Sequence, residues 1–364
     1  MDPPSPTEGY NQSPLRAQVV PEPQPQTPKR RSFWARLAAL LLVFLLTGSL
    51  LFNVLLLGLL GLSSLESDSR VQEKFYSHQR DAHDKVAILS IEGTILEGEG
   101  FFRRQIDRAT KDAKQGSLKA LVVRVNSPGG TISGSDYMYH HLRELAQETN
   151  LPIVVSMGGL AASGGYYVSM AVGDRPKSIY AEPTTWTGSI GVMIPHYDLS
   201  PLLKNWGVQD NTIVSAPLKG MGSFTRPMTE EEKKLFQGLV DDGLARFKNV
   251  ILEGRPNFKK EPAALDKLAT GQVFTAEQAK QHGLVDEIGF VETAIDRAIE
   301  LAGLDKNNVR VVKYKPELGF AEFLLGGTAR SRPSFDLAAL LDMAAPRAYY
   351  LYTALPALTS SAKP

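Results

Sequence analysis

The sequence contains no cysteine, which excludes disulfide bonds, a cysteine nucleophile and thiolate metal sites. An excess of one charge is also missing, because 40 lysines and arginines are balanced by 39 aspartates and glutamates, leaving a formal net charge of +1. This balance argues against a nucleic-acid partner. The chain has no Gly-Lys-Ser/Thr phosphate loop and no Cys/His metal-ligand spacing, so we expect neither a cofactor nor a bound metal.

One long apolar run is present, at residues 37–62, and it contains no charged residue. A helix rises about 1.5 Å per residue, so this run is long enough to cross a bilayer. Basic residues precede the run and acidic residues follow it: Lys29, Arg30, Arg31 and Arg36 before, Glu66 and Asp68 after. The positive-inside rule therefore predicts a single-pass helix with a cytoplasmic N-terminus and an extracytoplasmic main body.

Behind the run, apolar segments of strand length alternate with amphipathic segments of helix length. We predict strands at 86–91, 120–126, 152–157, 178–181 and 211–215, and helices near 101–115, 132–149, 163–173, 229–254 and 290–302. Thr229 and Glu232 form a capping-box pattern at the start of the fourth helix. This order is typical of an α/β fold with βαβ crossovers.

Two glycine-rich turns follow predicted buried strands. The Asn-Ser-Pro-Gly-Gly segment at 126–130 ends in Gly129 and Gly130, which can adopt positive φ and point N–H groups into a cavity, as an oxyanion hole requires. In the Ala-Ala-Ser-Gly-Gly-Tyr-Tyr segment at 161–167, Ser163 lies at the start of a predicted helix, where free N–H groups favour an anion. By itself such a serine is more often a helix cap than a nucleophile.

A serine nucleophile needs a base, and the six histidines are poorly placed for this role. They are His78, His83, His140, His141, His196 and His282. The first two precede the predicted core, the next two lie mid-helix in a polar stretch, and we interpret His196 as a surface or packing residue. Lys219 is the other option, because apolar residues and glycines surround it and no charge follows until Arg226. A lysine that acts as a base must be desolvated, since burial favours the neutral amine.

These motifs, in this order and spacing, resemble the bacterial signal peptide peptidase A (protease IV-like) family of Ser/Lys peptidases. The resemblance runs from about residue 85 to about residue 303. Besides the segments above it includes 91–95, 187–192, 228–232 and 271–286. It implies an α/β fold, namely a βαβ domain like those of the crotonases and the caseinolytic protease, preceded by one transmembrane helix.

The resemblance also assigns three side chains and a pair of backbone N–H groups to the active site. The side chains are the nucleophile Ser163, the general base Lys219, and Ser189, which orients the lysine. The oxyanion donors are the N–H of Gly164 and that of either Gly129 or Gly130.

Two relatives of the same fold fit the sequence less well. The caseinolytic protease has its catalytic histidine in the stretch that aligns with 183–191, where this chain has none. A crotonase would use paired glycine turns to polarise a thioester, which explains neither the Ser163 and Lys219 pair nor a membrane anchor. One departure from the family is Gly220, which follows the lysine where an acidic residue is frequent and affects how the loop is held.

The resemblance implies a membrane-anchored serine endopeptidase of the cell (inner) membrane. Its peptide substrates would be remnant signal peptides and other membrane-associated segments on the extracytoplasmic side. It would be a homo-oligomer in which Lys219 of one subunit serves Ser163 of the next, so that the pair need not meet within one chain. The alternative is a non-catalytic or narrowly specific relative that acts as a membrane scaffold or clips one membrane partner.

The sequence thus predicts five consecutive regions. They are a disordered Pro-rich cytoplasmic leader (1–28), the transmembrane helix (37–62), a linker (63–84), the peptidase domain (85–315) and an apolar C-terminal tail (316–364). Because glycine and proline split the tail into short aromatic stretches, we expect it to pack on a neighbour or on the membrane surface instead of forming core.

Overall fold

A computed structural model describes residues 33–65, 71–317 and 348–352 of the chain. It contains two compact units, Met1–Leu62 and Ser63–Pro364. The predicted leader lies outside the described residues, as do residues 318–347 and 353–364 of the predicted tail.

Helix α1 extends over Phe33–Leu65 and is apolar on all sides. Within it, Arg36–Leu55 has a mean hydropathy of 2.4 and none of its surface is buried. A helix of this length that is apolar all round matches a membrane span in length and composition. The structure therefore has the apolar helix that the sequence predicts, with ends a few residues outside 37–62.

The second unit is built on a nine-stranded sheet in the order β1-β10-β2-β3-β5-β6-β9, with β7 paired to β5 and β8 paired to β7. The strands are β1 (Val71–His78), β2 (Lys85–Glu92), β3 (Leu118–Ser127), β5 (Ile153–Ala162), β6 (Ile179–Ala181), β7 (Trp186–Gly188), β8 (Val273–Thr275), β9 (Glu287–Ile288) and β10 (Arg310–Pro316). The central strands pair in parallel. A second, two-stranded sheet joins β4 (Gly129–Thr131) to β11 (Tyr349–Leu351) in antiparallel fashion.

Helices cover both faces of the sheet, and one further short helix, Ser200–Asn205, is exposed and has no buried residue. They are α2 (Phe101–Lys114), α3 (Ile132–Thr149), α4 (Gly164–Ser169), α5 (Ser200–Asn205), α6 (Glu230–Gly254), α7 (Asn257–Lys260), α8 (Pro262–Leu268), α9 (Ala276–Gln281) and α10 (Val291–Leu301). Side chains of strand β3 are buried on both faces of the sheet, since Leu121 and Val123 belong to one buried cluster and Val122 belongs to the other. A parallel sheet that is buried on both faces confirms the predicted α/β class.

Strands β3 and β5 bring the two glycine-rich turns together. They run in parallel, and Ser127 near the end of β3 is in register with Ala161 near the end of β5. Strand β4 follows the first strand directly, and helix α4 follows the second. In open α/β sheets this carboxyl edge is where ligands bind.

The segment at 211–215 is not a strand, contrary to our expectation. It is exposed coil, and the Ile213 side chain is 97% accessible. Its β-branched residues match the strand pattern, but no strand of the described residues pairs with them. The capping box is present as predicted, since Thr229 Oγ1 accepts from the Glu232 N–H and the Glu232 side chain accepts from the Thr229 N–H.

The tail also departs from expectation in its one described segment. Tyr350 and Leu351 are buried in the peptidase unit, where β11 pairs with β4. Aromatic residues are frequent in strands, and the segment 349–352 contains three tyrosines. The sequence alone does not indicate which strand would pair with it.

Candidate functional site

Ser163 lies between β5 and α4 in a strained conformation. Its φ of 55° and ψ of −114° are unusual for a residue with a Cβ. The Ser163 N–H donates to Gly188 O at 2.8 Å, and its carbonyl accepts from the Tyr167 N–H at 2.8 Å. These two bonds fix the turn from both sides. The side chain is 1% exposed and makes no capping hydrogen bond to α4, which leaves the hydroxyl available.

Gly164 and β4 approach each other closely beside this serine. Gly164 is the first residue of α4, so its N–H has no acceptor within the helix. A Cβ built on Gly129, whose φ is 93°, would lie 2.5 Å from Gly164 N. Only glycine fits there.

The N–H groups of Gly129 and Gly130 have different partners. The Gly129 N–H donates to Ser127 Oγ at 3.0 Å. Gly130 instead lies opposite Tyr350 in the β4–β11 pairing. Ser127 was not among the predicted site residues, because a serine before Pro-Gly-Gly gives no signal of this role.

Ser189 also adopts a positive φ, of 49°, and is 6% exposed. Its hydroxyl donates to Gly271 O at 3.1 Å, and its N–H donates to Gln272 O at 2.8 Å. It directly follows Gly188, whose carbonyl accepts from the Ser163 N–H, so Ser189 lies next to the turn that holds Ser163. Its hydroxyl is bonded to a backbone carbonyl and not to Lys219.

Lys219 lies on a short 3-10 helix, Pro217–Gly220, and its side chain is exposed. Within the described part of the chain, its amine has no hydrogen-bond or ion-pair partner. The structure therefore does not bring Lys219 into hydrogen bonding with Ser163 or Ser189 inside one subunit.

The Lys219 turn is tied to α6 by Arg226. One guanidinium nitrogen donates both to Gly220 O at 3.0 Å and to Glu232 Oε1 at 2.5 Å, and the other donates to Glu232 Oε2 at 2.9 Å. These hydrogen bonds from Arg226, together with the Thr229 N–H, lower the pKa of Glu232 to about 2. Arg226 thus restrains the turn that carries Lys219 and Gly220.

Large apolar side chains are exposed around the Lys219 turn. They include Tyr197, Leu202, Trp206, Ile213, Leu218 and Phe224, of which Trp206 is 72% accessible. A group of this size is typical of a surface that another protein or a membrane covers. We call these six residues the apolar flap.

A polar network that the sequence did not indicate joins α4 to α3 and α6. The Tyr167 hydroxyl donates to Asp136 on α3, and Arg246 on α6 donates to the same carboxylate at 2.9 Å. Burial, reinforced by the bond to Asp136, raises the pKa of the Tyr167 hydroxyl, which stays protonated as a donor. These residues are far apart in sequence, so no local motif reveals them.

The described histidines do not serve Ser163. His196 Nε2 lies 3.3 Å from Ser223 O. His140, His141 and Glu144 on α3 lie close enough together to hold an ion. However, Arg103 is hydrogen-bonded to the His141 ring, and a cation there opposes a second one.

Comparison with known proteins gives a consistent result. The sequence profile of peptidase family S49 matches residues 145–305. A Synechocystis sp. protein described as a protease is 34% identical over 252 residues, which is 69% of this chain and 87% of that protein. A protein of Enterococcus faecium described as a signal peptide peptidase SppA is 35% identical over 255 residues, covering 67% of this chain and 71% of that protein. Protease 4 of Salmonella typhi is 35% identical over 244 residues, covering 65% of this chain, which spans only 38% of that longer protein.

Proposed function

Because the chain belongs to peptidase family S49, we propose that it is a membrane-anchored serine endopeptidase with Ser163 as nucleophile and Lys219 as general base. The observation that carries this proposal is the strained Ser163 turn at the start of α4, with Gly164 and β4 beside it. Family membership supports peptide-bond hydrolysis, and this geometry supports the choice of serine. A strained strand-to-helix turn places a serine hydroxyl next to backbone donors.

The proposed reaction proceeds through an acyl ester. Ser163 Oγ bonds to the substrate carbonyl carbon while its proton passes to the neutral amine of Lys219. The carbonyl oxygen becomes an oxyanion that the Gly164 and Gly130 N–H groups stabilise. The C–N bond then breaks, the proton moves from Lys219 to the leaving amine, and water hydrolyses the ester by the same steps.

We assign the second oxyanion donor to Gly130 because the Gly129 N–H is already bonded to Ser127. Ser189, whose hydroxyl can rotate away from Gly271 O, is the residue that orients an incoming lysine. Arg226 holds the Lys219 turn in the shape that presents the amine.

The Lys219 that completes each site comes from a neighbouring subunit in this proposal. In the described chain Lys219 is exposed and has no partner, while the apolar flap around it is uncovered. Docking the flap on a second copy would bury that surface and desolvate the lysine, which favours the neutral amine that a base must be. Oligomerisation is then a condition of activity.

Subunit mixing tests this arrangement. Ser163→Ala and Lys219→Ala chains are each expected to be inactive, as is the double variant, which serves as control. A ring with heterologous contacts that mixes the two single variants equally at random should regain about a quarter of wild-type activity. An intramolecular pair leaves every mixture inactive, and a Ser163→Ala chain with wild-type turnover would refute the nucleophile itself.

The proposed setting is the cell (inner) membrane, with α1 as a single-pass anchor and the peptidase unit on the extracytoplasmic side. The apolar helix and the basic residues before it support this topology. The Enterococcus faecium relative is named a signal peptide peptidase, which supports remnant signal peptides as the substrate class. Other membrane-associated peptides would reach the same site.

A further inference from the structure

Strand β4 is bonded to another part of the chain on the side away from β11. The Thr131 N–H donates to Ile95 O at 2.7 Å, and the Ile95 N–H donates to Gly129 O at 2.8 Å. Ile95 thereby forms a parallel bridge with Gly130, the residue between these two bonds. In such a bridge the N–H and C=O of the middle residue point the other way. The Gly130 N–H therefore faces away from Ile95, toward the side of β4 that adjoins β11.

The Gly129 N–H takes a different direction, because Gly129 has a φ of 93°. It donates to Ser127 Oγ at 3.0 Å, two residues back in the chain. A bond from an N–H to the serine hydroxyl two residues before it is typical of tight turns. Pro128, the residue between them, has no N–H. The Ser127 hydroxyl thus draws the Gly129 N–H away from the site and fixes the peptide plane just before Gly129.

Ser127 itself is held at the end of β3 against α4. It is fully buried and in register with Ala161 on β5. A Cβ built on Gly165, the second residue of α4, would lie 2.9 Å from Ser127 O and 3.4 Å from Ser127 Cβ. Helix α4 begins with Gly164, the other proposed oxyanion donor. The Ser127 hydroxyl therefore joins the strand that carries one donor to the layer that carries the other.

The two glycines of β4 make such a restraint necessary. Gly129 and Gly130 have no side chains, so the peptide between them can rotate at little steric cost. A buried Gly129 N–H that loses its acceptor must find another one. Rotation of the backbone toward the site would turn the Gly130 N–H out of line with the oxyanion. A catalytic group that is misplaced by about 1 Å can lose a factor of roughly 100 in rate.

We propose that Ser127 is a positioning residue of the peptidase site. Its hydroxyl holds the Gly129 N–H, so that the Gly130 N–H serves the oxyanion. Ser127 touches neither the substrate nor the oxyanion in this arrangement and acts through the backbone of β4. The inference rests on the proposed function and adds the side chain that prepares its oxyanion hole.

The test compares Ser127→Ala with Ser156→Ala in the full-length protein in detergent. Ser156 is a matched control, because it is also fully buried and its hydroxyl also accepts a hydrogen bond, but from Arg124 on β3, at 2.8 Å. We expect Ser127→Ala to lower kcat roughly 10- to 100-fold and to change KM less than about threefold, since an oxyanion donor acts mainly on the transition state. Ser156→Ala should keep kcat within about threefold of the wild type.

A peptide aldehyde gives the readout that separates positioning from a purely structural role. Ser163 Oγ bonds to the aldehyde carbon, the serine proton passes to Lys219, and the carbonyl oxygen becomes an oxyanion in the proposed hole. In Ser127→Ala the inhibition constant of the aldehyde should rise by the same factor as kcat/KM falls. The Kd of an uncleaved peptide should change less than about threefold when Ser127→Ala is added to Ser163→Ala protein.

Wild-type kcat in folded Ser127→Ala protein would overturn the positioning role. Equal losses of aldehyde affinity and peptide affinity would also overturn it. So would a Ser127→Ala chain that is unfolded at a temperature where Ser156→Ala is folded, since the hydroxyl would then serve the fold alone. The proposed function fails separately, if Ser163→Ala protein hydrolyses peptides or binds the aldehyde as tightly as the wild type.

Discussion

Gly129→Ala tests the close approach between β4 and α4 most directly. The new Cβ would lie 2.5 Å from Gly164 N and 2.1 Å from Tyr350 O. Gly164 N is backbone at the start of a buried helix, so it cannot move aside cheaply. Relief of this contact must push β4 away from α4, which separates the two proposed oxyanion donors. Gly116→Ala is a matched control, because Gly116 has φ 76° but nothing within 4 Å of an added Cβ.

Both substitutions place a Cβ on backbone with positive φ, and only Gly129→Ala also overpacks its surroundings. Left-handed backbone costs a residue with a Cβ roughly 1–2 kcal/mol, and this applies to both variants. Overpacking adds roughly 1–3 kcal/mol at Gly129 only. In a domain of this size 1 kcal/mol corresponds to about 2–4 °C in Tm. Loss of one oxyanion donor lowers kcat by about 10²- to 10³-fold, a penalty expected only for Gly129→Ala.

The assay pairs thermal unfolding with hydrolysis of one peptide at saturating concentration. We expect Gly116→Ala to lower Tm modestly and to keep kcat within about threefold of wild type, since Gly116 precedes β3 at the end of that strand opposite to the donors. Gly129→Ala should lose activity far below its Tm, while still folded. If folded Gly129→Ala keeps kcat within threefold of the wild type, the proposed oxyanion hole is wrong.

Four shorter predictions follow. Thr229→Ala should lower the free energy of unfolding by about 1 kcal/mol in chemical denaturation, because its hydroxyl caps α6. Arg226→Lys should lower kcat roughly 10- to 100-fold with little change in Tm, since one ammonium cannot replace the forked donor that shapes the Lys219 turn; wild-type kcat would contradict this role. The Glu232 pKa of about 2 lies below its ordinary 4.5, so the stability it contributes is complete above pH 4.5 and is lost as pH falls toward 2. Glu232→Gln should flatten that part of the stability–pH curve. A reporter fused after Pro364 should be extracytoplasmic, and a cytoplasmic signal would contradict the topology.

Local patterns were sufficient for several features. The apolar run of 37–62 gave the helix α1, and Thr229 with Glu232 gave the start of α6. The Pro-Gly-Gly turn and the Ala-Ala-Ser-Gly-Gly turn each follow a β-branched apolar run, which located both glycine-rich turns at strand ends. These features depend on near neighbours in the chain, so composition and spacing contain the information.

The segment at 211–215 shows where this reasoning fails. Its alternation suits a strand, yet a strand forms only where a partner edge offers hydrogen bonds, and no strand in the described part of the chain pairs with this segment. Tyr350 is the opposite case, because its short aromatic segment is buried once β4 supplies an edge. Both outcomes depend on a distant part of the chain, which local patterning does not specify.

The sequence by itself determined the α/β class, the apolar helix α1 and the two glycine-rich turns at strand ends, because each follows from local periodicity or from spacing within one segment. Only the tertiary structure decided that Gly129 adjoins Gly164, that Asp136 and Arg246 support Tyr167, and that Lys219 has no hydrogen-bond or ion-pair partner among the described residues. The physical reason is that parallel strands and their crossovers bring together residues that are far apart in the chain, and the contacts depend on how those elements pack.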